Sequence, residues 1–167
     1  GNAANNAVGS SRLGLKSAIY TNVGNVGEDQ DDQRIINKFK KEKIDIRYVI
    51  ENDNLPSNHH VVLDYKGERT ILIYHQPWKY HLPDLDASKW IYFTSLSPSF
   101  VDSNLIEQLM SYLERTGAKL LYNPGTFQIK QGVKKDHRLL SLTELFIVNV
   151  EEAKLILGFD EGKEVPI

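Results

Sequence analysis

The sequence predicts an α/β fold, with a parallel, Rossmann-type sheet carrying helices on both faces and a small antiparallel β patch inserted into it. From Trp90 onward, short apolar strands alternate with amphipathic helices, an order that calls for right-handed crossovers between parallel strands. Between Ile44 and Tyr74, strand-like segments follow one another around a Lys66-Gly67 turn with no helical pattern between them. Ala3, Ala4, Ala7 and Val8 recur at helical spacing, so the chain opens on a helix.

Composition narrows the functional classes. At 167 residues the chain is long enough for one domain with a proper core, and 41% hydrophobic and 25% charged residues are ordinary for a soluble globular protein. A net charge of -2 gives no reason to expect a nucleic-acid surface. The absence of cysteine excludes disulfides and thiolate metal sites and fits a reducing cytoplasm. No apolar run is long enough to span a membrane, and no signal-peptide pattern is visible. A helix at residue 1, with no strand before it and no initiating Met, suggests a fold incomplete at its N-terminus.

After the first helix, Ser17 to Val23 reads as a strand ending at Gly24. Asn25 to Asp32 is polar and acidic and reads as a loop. The acidic run suits the start of the following helix better than a metal site. Ile35, Ile36 and Phe39 form that helix's apolar face, with Lys38, Lys40, Lys41 and Lys43 towards its C-terminal half. Ile46, Tyr48 and Ile50 alternate with polar neighbours, then His60 to Tyr65 and Thr70 to Tyr74 flank the turn; together they read as a small antiparallel sheet. Gln76 to Ser88 is a loop whose aromatics, Trp78 and Tyr80, could stack on a sugar face or cap a hinge. The histidines show no zinc-type spacing, and His59 and His60, adjacent in a strand, point to opposite faces. Then come a strand over Ile91 to Leu96, a helix carrying Leu105, Leu109, Met110 and Leu113 and ended by Gly117, and a strand over Lys119 to Tyr122. Asn123-Pro124-Gly125 closes that strand; a helix near Lys134 to Leu142, a strand over Leu145 to Val148 and a helix over Glu151 to Leu157 follow. Ligands of such sheets bind beyond the carboxyl ends of the strands, which places Thr94 to Ser97, Asn123 to Gly125 and Asn149 to Glu152 along one edge.

Two stretches carry chemistry. Gly1 lets a ligand approach the backbone, and Asn2 and Asn5 bring short amides to a helix start whose N–H groups are free, a combination suited to a hydroxyl-rich ligand. The same residues suit a capped helix with Asn2 as N-cap and Asn5 solvated. Asn149 and Glu152 have the spacing of a capping box.

The run Gly1-Asn2-Ala3-Ala4-Asn5-Asn6-Ala7, followed by Gly14 and Gly24, resembles the N-terminal signature of the ribokinase (PfkB) family of carbohydrate kinases. Asn123-Pro124 at a strand end is similar to that family's Asn-Pro turn, and Asn149-Val150-Glu151-Glu152 to its Asn-x-x-Glu motif. The resemblance implies a ribokinase-like α/β domain over 1–43 and 86–167, with a β-sheet lid over 44–85 that closes over the sugar and often packs on a second subunit's lid. It implies an ATP- and magnesium-dependent kinase for a sugar hydroxyl. Gly1, Asn2 and Asn5 would bind the substrate, and Asn149 and Glu152 would lie near the nucleotide and the magnesium waters without coordinating the metal directly. The family's loop after Gly24 carries a glycine about where Asp32 stands, and Ser97 stands where ribokinases carry an acidic residue near the sugar. The family's Gly-Ala-Gly-Asp motif, which supplies the catalytic base, does not occur in the sequence, so this portion alone is expected to be inactive. A binding or regulatory remnant and a nucleoside kinase of the same superfamily are the alternatives.

Overall fold

The computed structural model describes residues 1–25, 30–133 and 137–159. The elements are α1 (Asn2–Arg12), β1 (Thr21–Val23), α2 (Gln30–Lys41), β2 (Val49–Glu51), β3 (His59–Tyr65), β4 (Glu68–Tyr74), β5 (Trp90–Phe93), α3 (Leu105–Thr116), β6 (Lys119–Tyr122), α4 (Thr126–Gln131), α5 (His137–Ser141), β7 (Thr143–Phe146) and α6 (Val150–Leu157). A short 3-10 turn over Pro98–Asp102 precedes α3. The chain divides into two compact units, Ala4–Trp78 on one side and Gly1–Ala3 with Lys79–Ile167 on the other.

In the unit of Ala4–Trp78, β1 and β2 pair in parallel, Thr21 opposite Val49, and an isolated bridge joins Ala18 to Asp45. This differs from the expected antiparallel sheet of three strands: alternation in Ile46 to Ile50 marks a half-buried strand but does not choose its partner. Its core is Ala7, Ile19, Val23, Ile36, Phe39, Ile44 and Trp78. Burial of Trp78 removes it from any exposed sugar-stacking surface. The first turn of α2 takes in Gln30 to Asp32, placed by the sequence in a loop, and Asp32 is buried with Oδ2 unpartnered. The rest of that predicted loop, 26–29, lies outside the described residues.

The remaining sheet of this unit is the β3–β4 hairpin, antiparallel from His59 opposite Tyr74 to Tyr65 opposite Glu68. Lys66 and Gly67 both take positive φ, 52° and 84°, as a two-residue turn matched to strand twist requires. Every residue of both strands is exposed. Alternation puts Val61, Leu63 and Leu72 on one face and Val62, Ile71 and Ile73 on the other, so both faces are apolar.

Glu42 clasps α1 to the end of α2. Arg12 donates from Nε to Oε2 at 2.8 Å and from Nη2 to Oε1, Lys38 reaches Oε1 at 2.7 Å, and the Ser11 hydroxyl donates to the Glu42 carbonyl. The hydrogen bond from Arg12, then that from Lys38, lowers the Glu42 pKa from 4.5 to about 2. A carboxylate whose pKa falls on folding contributes stability that is complete above its unfolded value and disappears as pH drops towards the folded one. The thermal midpoint is therefore expected to fall between pH 5 and pH 2 more steeply in the wild type than in Glu42→Gln; parallel melting curves would remove this assignment.

In the other unit β5, β6 and β7 form a parallel sheet in that order, with Trp90 opposite Lys119 and Tyr122 opposite Phe146. Phe93 stacks on Tyr122 across it, centroids 5.3 Å apart, and Phe146 meets Tyr122 at a tilt, 5.6 Å away. α3 buries Leu105, Leu109, Met110, Tyr112 and Leu113, the face its 3.6-residue period defines, and ends at Gly117 in the left-handed conformation with φ 69°. Leu120, Tyr122 and Leu139 complete this core. The helix expected over Lys134 to Leu142 is α5, from His137 to Ser141, with 134–136 outside the described residues; α4, directly after Gly125, is a further helix that the sequence reading did not place. β7 begins two residues earlier than expected, at Thr143.

Candidate functional site

Asn123 organises the carboxyl edge of the three-stranded sheet. Its backbone N–H continues the ladder to the Phe93 carbonyl at 2.9 Å, and the Ile147 N–H does the same to Tyr122 at 2.9 Å. Its side chain ties all three strand ends together: Nδ2 donates to the Ile147 carbonyl at 2.7 Å, while Oδ1 accepts from Tyr92 Oη at 3.1 Å and Thr94 Oγ1 at 3.4 Å. A third donor reaches Oδ1, Asn2 Nδ2 at 3.4 Å. The first residue of α1 is thereby held at the edge where α/β sheets present ligands.

The loops behind this edge interlock. Pro124 is fully buried, and Gly125 lies so close to Ser95 that a β-carbon there would stand 2.8 Å from Ser95 Cα. Gln128, buried in α4, accepts from the Gly125 N–H at 2.8 Å and the Leu96 N–H at 3.2 Å and donates to the Thr94 carbonyl at 3.4 Å. Ser97 is buried, and its N–H donates to Tyr80 Oη at 2.9 Å. Burial raises the Tyr80 pKa, which keeps the phenol protonated. Tyr80, open in the sequence to stacking or to a hinge, thus braces the turn after β5.

Two residues past Ile147, Asn149 and Glu152 form a reciprocal cap on α6. The Glu152 N–H donates to Asn149 Oδ1 at 2.8 Å, and the Asn149 N–H donates to Glu152 Oε2 at 3.0 Å. Gly1 is exposed and open, with nothing within 4 Å of where a β-carbon would lie. Asn5 is exposed and stands three residues after Asn2, on the same face of α1. The structure therefore brings together Asn2 with Asn123 and Asn149 with Glu152. Sequence reasoning identified the Asn123 turn but missed its side chain as the junction, along with Tyr92, Thr94 and Gln128, because their partners are far away in the chain. Among the described residues no group of three or more His, Asp or Glu could hold a metal ion, and no helix is long and apolar enough to cross a membrane.

Compared with known proteins, the sequence matches the pfkB family carbohydrate kinases over residues 1–165. The chain belongs to this family. An uncharacterized sugar kinase of Archaeoglobus fulgidus is 24% identical over 158 residues, which cover 92% of this chain and 62% of that protein. Among solved structures, the fructokinase of Vibrio cholerae superposes with a TM-score of 0.73 at 19% identity, covering 93% of this chain and 57% of the fructokinase. The Arabidopsis thaliana ribokinase complexed with ribose and ATP superposes at 0.72 and 18% identity, covering 95% and 51%. At these identities the superpositions establish a shared α/β fold. The chain spans between about half and three fifths of the length of these relatives.

Proposed function

We propose that this pfkB chain is the substrate-binding and lid portion of an ATP-dependent kinase that phosphorylates a sugar hydroxyl. The observation that carries the reading is the seating of Asn2, from the family's N-terminal signature, on the carboxyl edge of β5–β6–β7, the edge that also leads through Ile147 to Asn149 and Glu152. Gly1, Asn2 and Asn5 hold the sugar hydroxyls: an open glycine backbone and two exposed amides offer both donors and acceptors to a polyol. When bound, ATP supplies the phosphoryl group and magnesium offsets its charge. The residues present fit that pair, because a helix N-terminus capped by Asn149 turns N–H groups towards anions, and the Glu152 cap engages one carboxylate oxygen, Oε2, while the second is available to a magnesium-bound water. The β3–β4 hairpin serves as the lid and as a contact to the lid of a second copy, a reading supported by exposed apolar side chains on both of its faces.

Thermal unfolding of the chain with D-fructose, D-ribose or adenosine, each with and without ATP and magnesium, tests the reading. Binding at a hundredfold excess over Kd stabilises by about 2.7 kcal/mol. Stabilisation by a sugar is the expected result; stabilisation by adenosine alone would move the assignment to a nucleoside, and no response to any ligand would overturn it. The portion 1–167 is expected to form no sugar phosphate by itself, because the motif that carries the family's base does not occur in its sequence.

A further inference from the structure

We propose that Asn123 is a positioning residue that sets which end of the Asn2 amide faces the substrate. The argument begins at a group that permits one orientation. The Ile147 carbonyl can only accept, so the atom of Asn123 lying 2.7 Å from it is the amide nitrogen. Asn123 Oδ1 therefore faces the opposite way, towards Tyr92, Thr94 and Asn2. A hydroxyl can rotate to meet either partner, but an amide has a donating end and an accepting end fixed by its covalent structure. Facing an oxygen, Asn2 presents Nδ2, at 3.4 Å, and its carbonyl Oδ1 takes the other branch, away from Asn123.

The orientation passes from a strand-end carbonyl, through one half-buried amide, to an exposed one. Asn2 is thereby poised as a hydrogen-bond acceptor. At its Oδ1 it receives a ligand group that donates, such as a free hydroxyl, and not an ether, a carbonyl or a phosphorylated oxygen. This rests on the sugar-binding reading for the identity of the ligand, and on the hydrogen bonds alone for the orientation.

The test uses the full 167-residue chain labelled with 15N, following the side-chain NH2 signals of Asn2, together with affinity for D-fructose or D-ribose, whichever stabilises the wild type. Asn123→Ala is expected to displace the Asn2 signals and to weaken sugar binding about tenfold, the scale of one hydrogen bond. Asn2→Ala combined with Asn123→Ala is expected to bind no more weakly than Asn2→Ala alone, because Asn123 acts through Asn2. Should Asn123→Ala fail to fold, Asn2→Asp, at an exposed helix start, sets two acceptors against each other and is expected to shift the Asn123 NH2 signals. Unmoved signals, or losses that multiply in the double variant, would overturn the proposal. A wild type that binds neither sugar would remove the sugar reading, and the displacement of the Asn2 signals would still decide the positioning role.

Discussion

Gly24→Ala is expected to destabilise the protein by about 3 kcal/mol or more, at or above the top of the usual cost of overpacking, because the surroundings are rigid. A β-carbon at this position would stand 2.5 Å from Ser57 N, 2.6 Å from the Pro56 carbonyl carbon and 2.6 Å from Asp32 Oδ2. Two of the three obstacles are backbone. The Gly24 N–H also donates to Ser57 Oγ at 2.8 Å, so the chain cannot move aside without giving up a buried hydrogen bond. Trimming Asp32 to alanine should therefore restore little. Urea denaturation of Gly24→Ala and of Gly24→Ala with Asp32→Ala checks this; a single variant within about 1 kcal/mol of wild type, at unchanged m, would contradict the close approach.

Gly125→Ala is expected to cost about 2–4 kcal/mol, and here a second substitution should give part of it back. The new β-carbon would meet Ser95 Oγ at 2.7 Å and Ser95 Cα and Cβ at 2.8 Å. Ser95→Gly removes two of those atoms and leaves Cα, so the double variant should recover partly in a denaturation experiment. Because Gly125 stands two residues after Asn123 and is bonded to Gln128, the proposed sugar site should also weaken in the single variant beyond what its stability predicts. Additive effects of the two substitutions would show that the loops do not meet as described.

These two glycines show how far the sequence could be read. Gly24 belongs to a spaced glycine pattern visible without coordinates, as does Gly14, which takes φ 87° where other residues would be strained. Helix ends were equally legible: Gly117 and Gly158 stop α3 and α6 in left-handed conformations, and Asn149 and Glu152 cap α6 at the spacing that local geometry demands. β6 falls where its apolar run sits. Pairing was not legible, since the period of two in Ile46 to Ile50 is the same whether the partner is β1 or β3. Nor was α4, whose six residues are too few to show a helical stripe and which is fixed by Gln128 reaching back to Thr94 and Leu96. The candidate site divides in the same way. Its amides stood out by residue type at a helix start, but the network that aims Asn2 runs from Tyr92 to Ile147 and exists only once the sheet has formed.

The β3–β4 hairpin also has a consequence in time. Its strands pair residue for residue across a two-residue turn, so it closes through a short loop, on the microsecond scale typical of hairpins. With every strand residue exposed, little beyond its own cross-strand pairs resists reopening. The parallel sheets must bring together strands separated by whole helices, and so form later and come apart less often. The hairpin therefore keeps its own clock, opening and closing many times within the lifetime of the parallel sheets.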